Sequence, residues 1–277
     1  MIIDFHTHTF PDKIAEIAIP KMQAASHSAA FTKGTVTALK ESMKDAEIDY
    51  SVVLPVITNP LKTQSINDIS VAENGKDGLI YFGGIHPDTP DFSAELKRLK
   101  SNGIKGIKIH PVYQQTNIDD IKFLRILYSA AENGLAVVTH SGDDIGFPGI
   151  KNCTVKMLSN ALRQAGNVTL IAAHMGGWKN WEEVEELADF KNLFIDTAFS
   201  IGSITPIDNY YSIGELSLLK EEEFLKLVNI FGSEHILFGT DSPWDNQKTA
   251  KDIIENMPLS RNDKDNIFYI NAQKIMR

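Results

Sequence analysis

Two histidines near the start of the chain, His6 and His8, have the spacing of a pair of metal ligands. Alternate side chains of a β-strand point to the same side, so the sequence His-Thr-His turns both imidazoles towards one point. Imidazole nitrogens are common ligands of zinc and of other first-row divalent ions. The pair therefore predicts a metal site. The alternative is that both rings only form hydrogen bonds to backbone groups at the end of a strand.

Two further side chains that ligate metals follow apolar runs later in the chain, His140 after residues 135–139 and Asp241 after residues 236–239. Together with His6 and His8 they would supply three nitrogens and one oxygen, a set that suits Zn²⁺, with water or substrate completing the shell. We therefore expect one divalent metal ion as cofactor, with zinc favoured and Mn²⁺ or another divalent ion as the alternative.

A further histidine, His174, precedes two glycines in the sequence Ala-Ala-His-Met-Gly-Gly, where the backbone can turn tightly and approach a ligand closely. We expect it to act catalytically, by handling protons or polarising the substrate, and metal ligation is the second interpretation.

His110 and Trp244 also follow apolar runs, and Lys108 should face the same way as His110, one layer deeper. These three are candidates for substrate binding. A buried lysine needs a carboxylate partner or must lose its charge.

These side chains must be positioned by an alternation of short apolar runs and longer segments with helical spacing. Continuous apolar runs are typical of strands covered on both faces, as in parallel sheets. The eight runs are residues 2–5, 51–57, 79–85, 103–109, 135–139, 169–173, 193–197 and 236–239. Eight strands with interleaved helices predict a (β/α)₈ TIM barrel, and we expect residues 1–277 to form a single domain.

In such a barrel the carboxyl ends of the strands converge on one mouth, where the active sites of this fold lie. The scattered histidines and Asp241 are therefore expected to form one cluster there. Two long connections, residues 9–34 and 198–215, are candidates for walls of a substrate pocket. Helices are predicted over residues 36–46, 92–100, 121–131, 155–164, 181–187, 217–231 and 260–275.

Composition excludes several classes of protein. The 277 residues include 27 Lys+Arg and 36 Asp+Glu, a net charge of −9, and no basic run that would bind nucleic acid. No apolar stretch approaches the ~18 residues of a membrane span, and no signal peptide precedes the first strand. The only cysteine, Cys153, can form no internal disulfide. We therefore expect a cytoplasmic protein that acts on a small molecule, without nucleic acid or membrane as partner.

Five motifs, in order along the chain, resemble the amidohydrolase superfamily. They also resemble its amidohydrolase-related branch, which contains aminocarboxymuconate-semialdehyde decarboxylase, resorcylate decarboxylase and pyrone-dicarboxylate lactonase. The motifs are residues 4–8 (Asp-Phe-His-Thr-His), 106–111 (Gly-Ile-Lys-Ile-His-Pro), 137–140 (Val-Val-Thr-His), 173–177 (Ala-His-Met-Gly-Gly) and 237–244 (Leu-Phe-Gly-Thr-Asp-Ser-Pro-Trp). The resemblance implies metal ligands at His6, His8, His140 and Asp241 and a catalytic histidine at His174. It leaves the formation of homo-oligomers open.

The fourth-strand motif separates this chain from two related groups. Binuclear relatives use a carboxylated lysine at the end of that strand, but here His110 occupies the end and Lys108 is recessed, so one metal ion is expected. TatD-type nucleases carry a glutamate in this motif, which argues against nuclease activity. His86 is a residue either of the mouth or of the structural framework, and His27 is not expected to belong to the site.

Two reactions fit this ligand set. In the leading one, a metal ion lowers the pKa of a bound water, Asp241 accepts its proton, and an ester, lactone or amide is hydrolysed. The runner-up is non-oxidative decarboxylation of an aromatic or unsaturated acid. All five arginines fall in predicted helices or at the terminus, which favours hydrolysis because arginine often clamps acidic substrates. A non-catalytic metal-binding barrel is the third interpretation, and it predicts gaps in the ligand set.

Overall fold

The structure is a computed structural model that describes residues 1–277. Its nine strands are all parallel and form two sheets, with the orders β1-β2-β3 and β4-β5-β6-β7-β8-β9. The strands are β1 (Ile3–Thr7), β2 (Tyr50–Val53), β3 (Leu79–Tyr81), β4 (Gly83–Gly84), β5 (Gly106–Ile109), β6 (Ala136–Thr139), β7 (Leu170–Ala172), β8 (Leu193–Asp196) and β9 (Ile236–Leu237).

The two sheets continue into one another at both edges. Strands β3 and β4 are separated only by Phe82, whose amide donates to Val53 O at 3.1 Å. At the other edge Phe5 N donates to Phe238 O at 2.8 Å, and Thr7 pairs in parallel with Ser242. The strands therefore run round a (β/α)₈ barrel in which β3 and β4 together form the third strand.

Ten helices of the α type lie between and after the strands. Their bounds are α1 (Asp12–Ser26), α2 (Val36–Ala46), α3 (Thr63–Glu73), α4 (Phe92–Ser101), α5 (Ile121–Glu132), α6 (Val155–Gln164), α7 (Glu221–Phe231), α8 (Gln247–Asn256), α9 (Arg261–Asp265) and α10 (Asn271–Ile275). Side-chain caps begin several of them, for example Thr154 on α6 and Asn246 on α8. No helix combines the length and the apolar character needed to cross a membrane.

The apolar core has two parts, one on each side of the strands. A group of 47 buried residues packs the strands against the surrounding helices. A smaller group of ten, which includes Phe5, Val138 and Leu237, lies on the other face of the strands, the face that also carries Lys108. The polar site is built on top of this inner apolar layer. A register shift between Asp4 and Thr7 occurs where β1 delivers His6, and such irregularities re-aim side chains.

All eight predicted strand runs coincide with strands of the barrel. The predicted helix 181–187 is wrong in type, because only a short 3₁₀ helix forms there, Val184–Leu187. The sequence reading also missed α1, α3 and α8. Helix α1 lies inside the first long connection, which was expected to be a loop, and the segment 260–275 is interrupted by a π-helical turn, Asn266–Ile270.

Candidate metal centre and active site

His6, His8 and Asp241 converge at the mouth of the barrel. The Nε2 atoms of His6 and His8 are 3.2 Å apart, and Asp241 Oδ1 lies 3.5 Å from the first and 3.0 Å from the second. Asp241 reaches this position because its amide donates to His6 O at 2.7 Å, which joins the end of the last strand to the first. The spacing of two along β1 therefore does bring both imidazoles together, as predicted.

The donor set of this group fits a divalent metal ion. His8 Nδ1 donates to Leu54 O at 2.7 Å and His6 Nδ1 donates to Asp196 Oδ2 at 2.8 Å. In the neutral rings both Nε2 atoms then carry lone pairs, and these face the Asp241 carboxylate. Three electron-pair donors in such close proximity require a cation between them, either a proton or a metal ion, and two imidazoles with a carboxylate are typical zinc ligands.

Asp196 anchors the group from below and was missed by the sequence reading. It is fully buried at the end of β8, and its other carboxylate oxygen accepts from His174 N at 2.9 Å and from Ala198 N at 3.1 Å. A histidine ligand commonly donates its second ring N–H to a carboxylate, which fixes the tautomer and the ring orientation. The available signal was an acidic residue at the end of an apolar strand run.

Lys108 lies within the group, as its predicted recessed position implies. Its Nζ is 3.2 Å from His6 Nε2, and the residue is only 1% exposed. Burial lowers the pKa of Lys108 to about 8, against the opposing attraction of Asp196 and Asp241. The lysine is therefore close to neutral under mildly alkaline conditions, in line with the expectation that a buried lysine weakens its charge.

The remaining histidines form a second group beside the first. His140 Nδ1 is 3.0 Å from His174 Nε2, and the rings of His110 and His140 stack at a centroid distance of 4.4 Å. Asp144, four residues after His140, joins them with its Oδ2 3.6 Å from His110 Nε2. In this conformation a ring nitrogen of His140 lies within 4.8 Å of possible ligand atoms of His110 and Asp144. His140 does not belong to the corresponding group of His6, His8 and Asp241. Its predicted ligation of the first ion stays a prediction.

Burial governs the protonation of the site. It lowers the pKa of His6, His110, His140 and His174, and the positive charge of Lys108 adds to the effect. Burial opposes ionisation of Asp241, yet the imidazoles around its carboxylate hold its pKa well below the ordinary value. The four fully buried imidazoles are thus neutral and the carboxylate is ionised, the protonation states that metal ligands need.

All of these residues except Asp196 line one cavity of about 460 Å³, a size typical of small-molecule sites. Its walls are rich in aromatic rings from the mouth loops, namely Phe10, Tyr113, Phe147, Trp178, Phe199 and Trp244. No arginine lines the cavity, and its lysines are Lys21 and Lys108. Both long connections contribute to the walls, as expected.

Among the aromatic side chains of the last two mouth loops, Trp244, a predicted substrate contact, and Phe199 line the cavity. Tyr210 and Tyr211 do not, and Tyr211 donates to Ile145 O at 3.0 Å instead. Trp178, which the sequence analysis did not place in the site, also lines the cavity, and its Nε1 donates to Phe199 O. His86 does not line the cavity and accepts from Asp88 N, which favours its structural interpretation.

The family model for amidohydrolases, Amidohydro_2, matches residues 3–277. This chain belongs to the amidohydrolase family. The match runs from the first strand to the last residue, so every part of the candidate site lies within it. No curated protein matches the chain in sequence.

Solved structures of low sequence identity share the fold of this amidohydrolase. The 5-carboxyvanillate decarboxylase LigW from Sphingomonas paucimobilis is 15% identical with a TM-score of 0.68, over 100% of this chain and 98% of that one. A 2,6-dihydroxybenzoate decarboxylase from Rhizobium is 14% identical with a TM-score of 0.68, over 99% and 98%. A putative 2-pyrone-4,6-dicarboxylic acid hydrolase from Pseudomonas putida is 14% identical with a TM-score of 0.66, over 99% and 97%.

Proposed function

We propose that this amidohydrolase is a metal-dependent hydrolase of a small-molecule ester, lactone or amide. The observation that carries the proposal is the position of Asp241. Its carboxylate is in the ligand group of His6 and His8, and its side chain is 13% exposed at the cavity. A base held at that position can take a proton from a water molecule beside the group.

Zn²⁺ is the proposed ion, with Mn²⁺ as the alternative, and when bound it supplies Lewis acidity and lowers the pKa of water towards ~7. The protein's own contribution is orientation and proton transfer. Asp196 and Leu54 O hold the two imidazoles by their Nδ1 atoms, so both Nε2 atoms keep one direction. Asp241 is ionised and accepts the proton of the attacking water as the carbonyl is attacked.

His174 is proposed as the second catalytic residue. Its Nδ1 donates to Ala198 O at 2.9 Å, which fixes the ring, and its Nε2 lies 3.0 Å from His140 Nδ1. His174 Nε2 is the unprotonated nitrogen of the neutral ring. The proton that Asp241 takes from the water can pass to this nitrogen and from there to the leaving group, so the proton count balances. Lys108, His110 and Trp244 line the same cavity and are proposed to contact the substrate.

The charge of the cavity wall favours hydrolysis of a substrate with few acidic groups. Asp143 and Asp144 line the cavity, and no arginine is present to clamp a carboxylate. Lys108 is recessed beneath His6, which leaves Lys21 as the lysine of the wall. A neutral ester, lactone or amide would bind there without an unfavourable meeting of like charges.

Decarboxylation of an aromatic acid is the second candidate. The six aromatic rings of the wall favour it, because they suit a flat unsaturated ring, and two of the structures of similar fold are named as decarboxylases. In that reaction the chain must deliver a proton to carbon, and the His140–His174 pair is the group placed to do so.

One panel of substrates distinguishes hydrolysis from decarboxylation. The zinc-loaded enzyme is assayed with lactones, esters and amides for ring opening or cleavage, and with hydroxybenzoates and muconate-like acids for release of carbon dioxide. Hydrolysis that requires the ion and is absent from the chelated enzyme supports the proposal. Carbon dioxide release from an aromatic acid, with no cleavage of any ester, lactone or amide, overturns it in favour of decarboxylation.

A further inference from the structure

Asp144 is a buried acidic side chain of the cavity wall that the proposed mechanism does not use. It follows β6 in the mouth loop and is only 8% exposed. Its Oδ1 accepts a hydrogen bond from Gly146 N at 2.8 Å. Its Oδ2 lies 3.6 Å from His110 Nε2 and 3.9 Å from His140 Nε2, beyond the ~3.2 Å at which hydrogen bonds from nitrogen to oxygen end. One carboxylate oxygen at the cavity therefore has no hydrogen-bond donor in the chain.

The neighbouring acidic residue, Asp143, is paired by the chain in a way that Asp144 is not. Lys151 Nζ forms an ion pair with the Asp143 carboxylate, and Asn180 Nδ2 donates to it at 2.9 Å. Asp144 forms no ion pair with a lysine or arginine. Because a buried carboxylate is unfavourable unless a positive group pairs with it, Asp144 would be stabilised by a cation that enters from the cavity.

The mouth loop holds the Asp144 side chain in one position. Asp143 N donates to Trp178 O at 2.9 Å just before it, and Phe147 N donates to Asp144 O at 3.0 Å just after it. The bond from Gly146 N fixes the carboxylate itself, as in the turns that aspartate side chains form with the backbone two residues on. An acceptor that is already oriented binds a ligand with a small loss of conformational entropy. Asp144 is therefore a preformed binding group.

Aromatic rings lie beside this carboxylate on the same wall of the cavity. The ring of Tyr113 stacks on that of His110, the neighbour of Asp144, at a centroid distance of 4.0 Å. Phe147 contacts Tyr113 edge-on at a centroid distance of 5.0 Å, and both rings line the cavity. Aromatic faces attract organic cations and provide an apolar surface for the hydrocarbon part of a ligand. A carboxylate next to such rings suits an organic amine better than a hydrated inorganic ion.

We propose that Asp144 determines the substrate specificity of this cavity by binding a protonated amino group. The ammonium group donates to Asp144 Oδ2, and the hydrocarbon chain that carries it lies against Tyr113 and Phe147. The substrate is then an ester, lactone or amide with a cationic amine, and a carboxylate at the same position is rejected by the like charge of Asp144. This substrate class rests on the proposed function, whereas the binding of an amine at Asp144 does not.

The binding of three matched probes tests the amine site without any turnover. Phenethylamine, phenethyl alcohol and hydrocinnamate present a cationic, a neutral and an anionic group on similar hydrocarbon frames. Their affinities for the zinc-loaded, full-length protein are measured by calorimetry, alongside Asp144→Asn and Asp143→Asn. Asp143→Asn is the matched control, because it removes one negative charge from the adjacent residue, whose carboxylate is already paired with Lys151.

We expect the parent and Asp143→Asn to bind phenethylamine about 10- to 100-fold more tightly than the alcohol, the usual contribution of a hydrogen bond to a charged group. Asp144→Asn should lose this preference. The variant should fold, since asparagine keeps the oxygen that accepts from Gly146 N, and Asp144→Ser replaces it if circular dichroism shows unfolding. Equal affinity of the parent and Asp144→Asn for the amine overturns the proposal, including the case in which the amine binds the zinc ion.

Kinetics on the para-nitroanilides of β-alanine, butanoic acid and succinic acid test the substrate class. These amides differ only in an ammonium, methyl or carboxylate terminus. The parent should have the highest kcat/KM for the ammonium substrate, and Asp144→Asn should lower its ratio to the methyl substrate about 10- to 100-fold. An unchanged ratio overturns the proposed specificity and leaves the hydrolase supported. No hydrolysis of any anilide, together with binding of phenethylamine that depends on Asp144, supports the amine site and counts against the proposed hydrolysis.

Discussion

His6 Nδ1 and Asp196 Oδ2 lie 2.8 Å apart, and both side chains are almost completely buried. The contact joins β1 to β8 across the mouth of the barrel and directs His6 Nε2 towards His8 and Asp241. The same carboxylate holds the backbone of His174, so one side chain positions both the proposed metal ligands and the proposed catalytic histidine. Asp196 is therefore a positioning residue whose removal should disturb metal binding before it disturbs the fold.

Asp196→Asn should weaken metal affinity about 10- to 100-fold, the usual cost of losing a carboxylate that orients a histidine ligand. The measurement is a competition titration against a chromophoric chelator. Asp208→Asn is the matched control, because Asp208 forms an equally close pair with His27, 2.7 Å, at the protein surface. An affinity for Asp196→Asn within twofold of the parent would contradict the assigned role.

Asp241→Asn should reduce kcat by at least ~100-fold, because the amide cannot accept the proton of the attacking water. The side chains have the same shape, so the melting temperature should change little. Steady-state kinetics on the substrate identified by the panel provides the measurement. Asp252→Asn, a surface carboxylate paired with Lys248, is the control and should keep the parent rate. Full activity in Asp241→Asn would remove the base from the mechanism.

The barrel and the first ligand group could be predicted because their signals are local. Each strand is a continuous apolar run, and the spacing of His6 and His8 follows from the two-residue period of a strand. Position at the carboxyl end of a strand then brings Asp241 to the same mouth. The family match and the parallel sheets confirm the fold, while the roles of the individual residues stay proposals.

The missed residues depend on contacts between distant parts of the chain. Asp196 meets His6 across 190 residues, and Trp178 reaches the cavity because its turn pairs with Gly142. No periodicity encodes either contact. Ring orientation is also invisible in a sequence, and it is what places His140 beside Asp144 and His110. Helices α3 and α8 were missed because polar residues occupy several of their buried positions, such as Asn67 in α3 and Gln247 in α8, so no apolar spacing marks these segments.

The stability of the metal-free protein should rise between about pH 8 and pH 10.5 because of Lys108. Burial lowers its pKa from 10.5 to about 8, so in this interval the unfolded chain binds the proton that the folded protein has released. Stability increases with pH wherever the unfolded state binds more protons. The free-energy cost of burying the charged Lys108 side chain is fully present below pH 8 and disappears by pH 10.5.

Urea denaturation of the chelated protein at several pH values tests this dependence against Lys108→Met. The free energy of unfolding of the parent, relative to Lys108→Met, should increase by up to about 3 kcal/mol over the interval. Lys105→Met is the control, since Lys105 lies just before the same strand and its Nζ donates to Arg277 O at the surface. A difference that stays flat with pH would contradict the lowered pKa of Lys108.

Gly142→Ala should destabilise the protein because the loop that carries Asp143 and Asp144 packs directly on the turn of Trp178. Gly142 has φ +86°, and a Cβ there would lie 2.2 Å from Trp178 N and 2.4 Å from Trp178 O. Backbone atoms cannot move aside as a flexible side chain can, so we expect the free energy of unfolding to fall by more than ~3 kcal/mol. A left-handed backbone conformation alone would cost a non-glycine residue only about 1–2 kcal/mol. Thermal unfolding provides the measurement. Gly149→Ala is the matched control in the same connection, with φ +83° and no atom within 4 Å of the added Cβ. Equal melting temperatures for the two variants would show that the close approach of Gly142 to Trp178 contributes nothing.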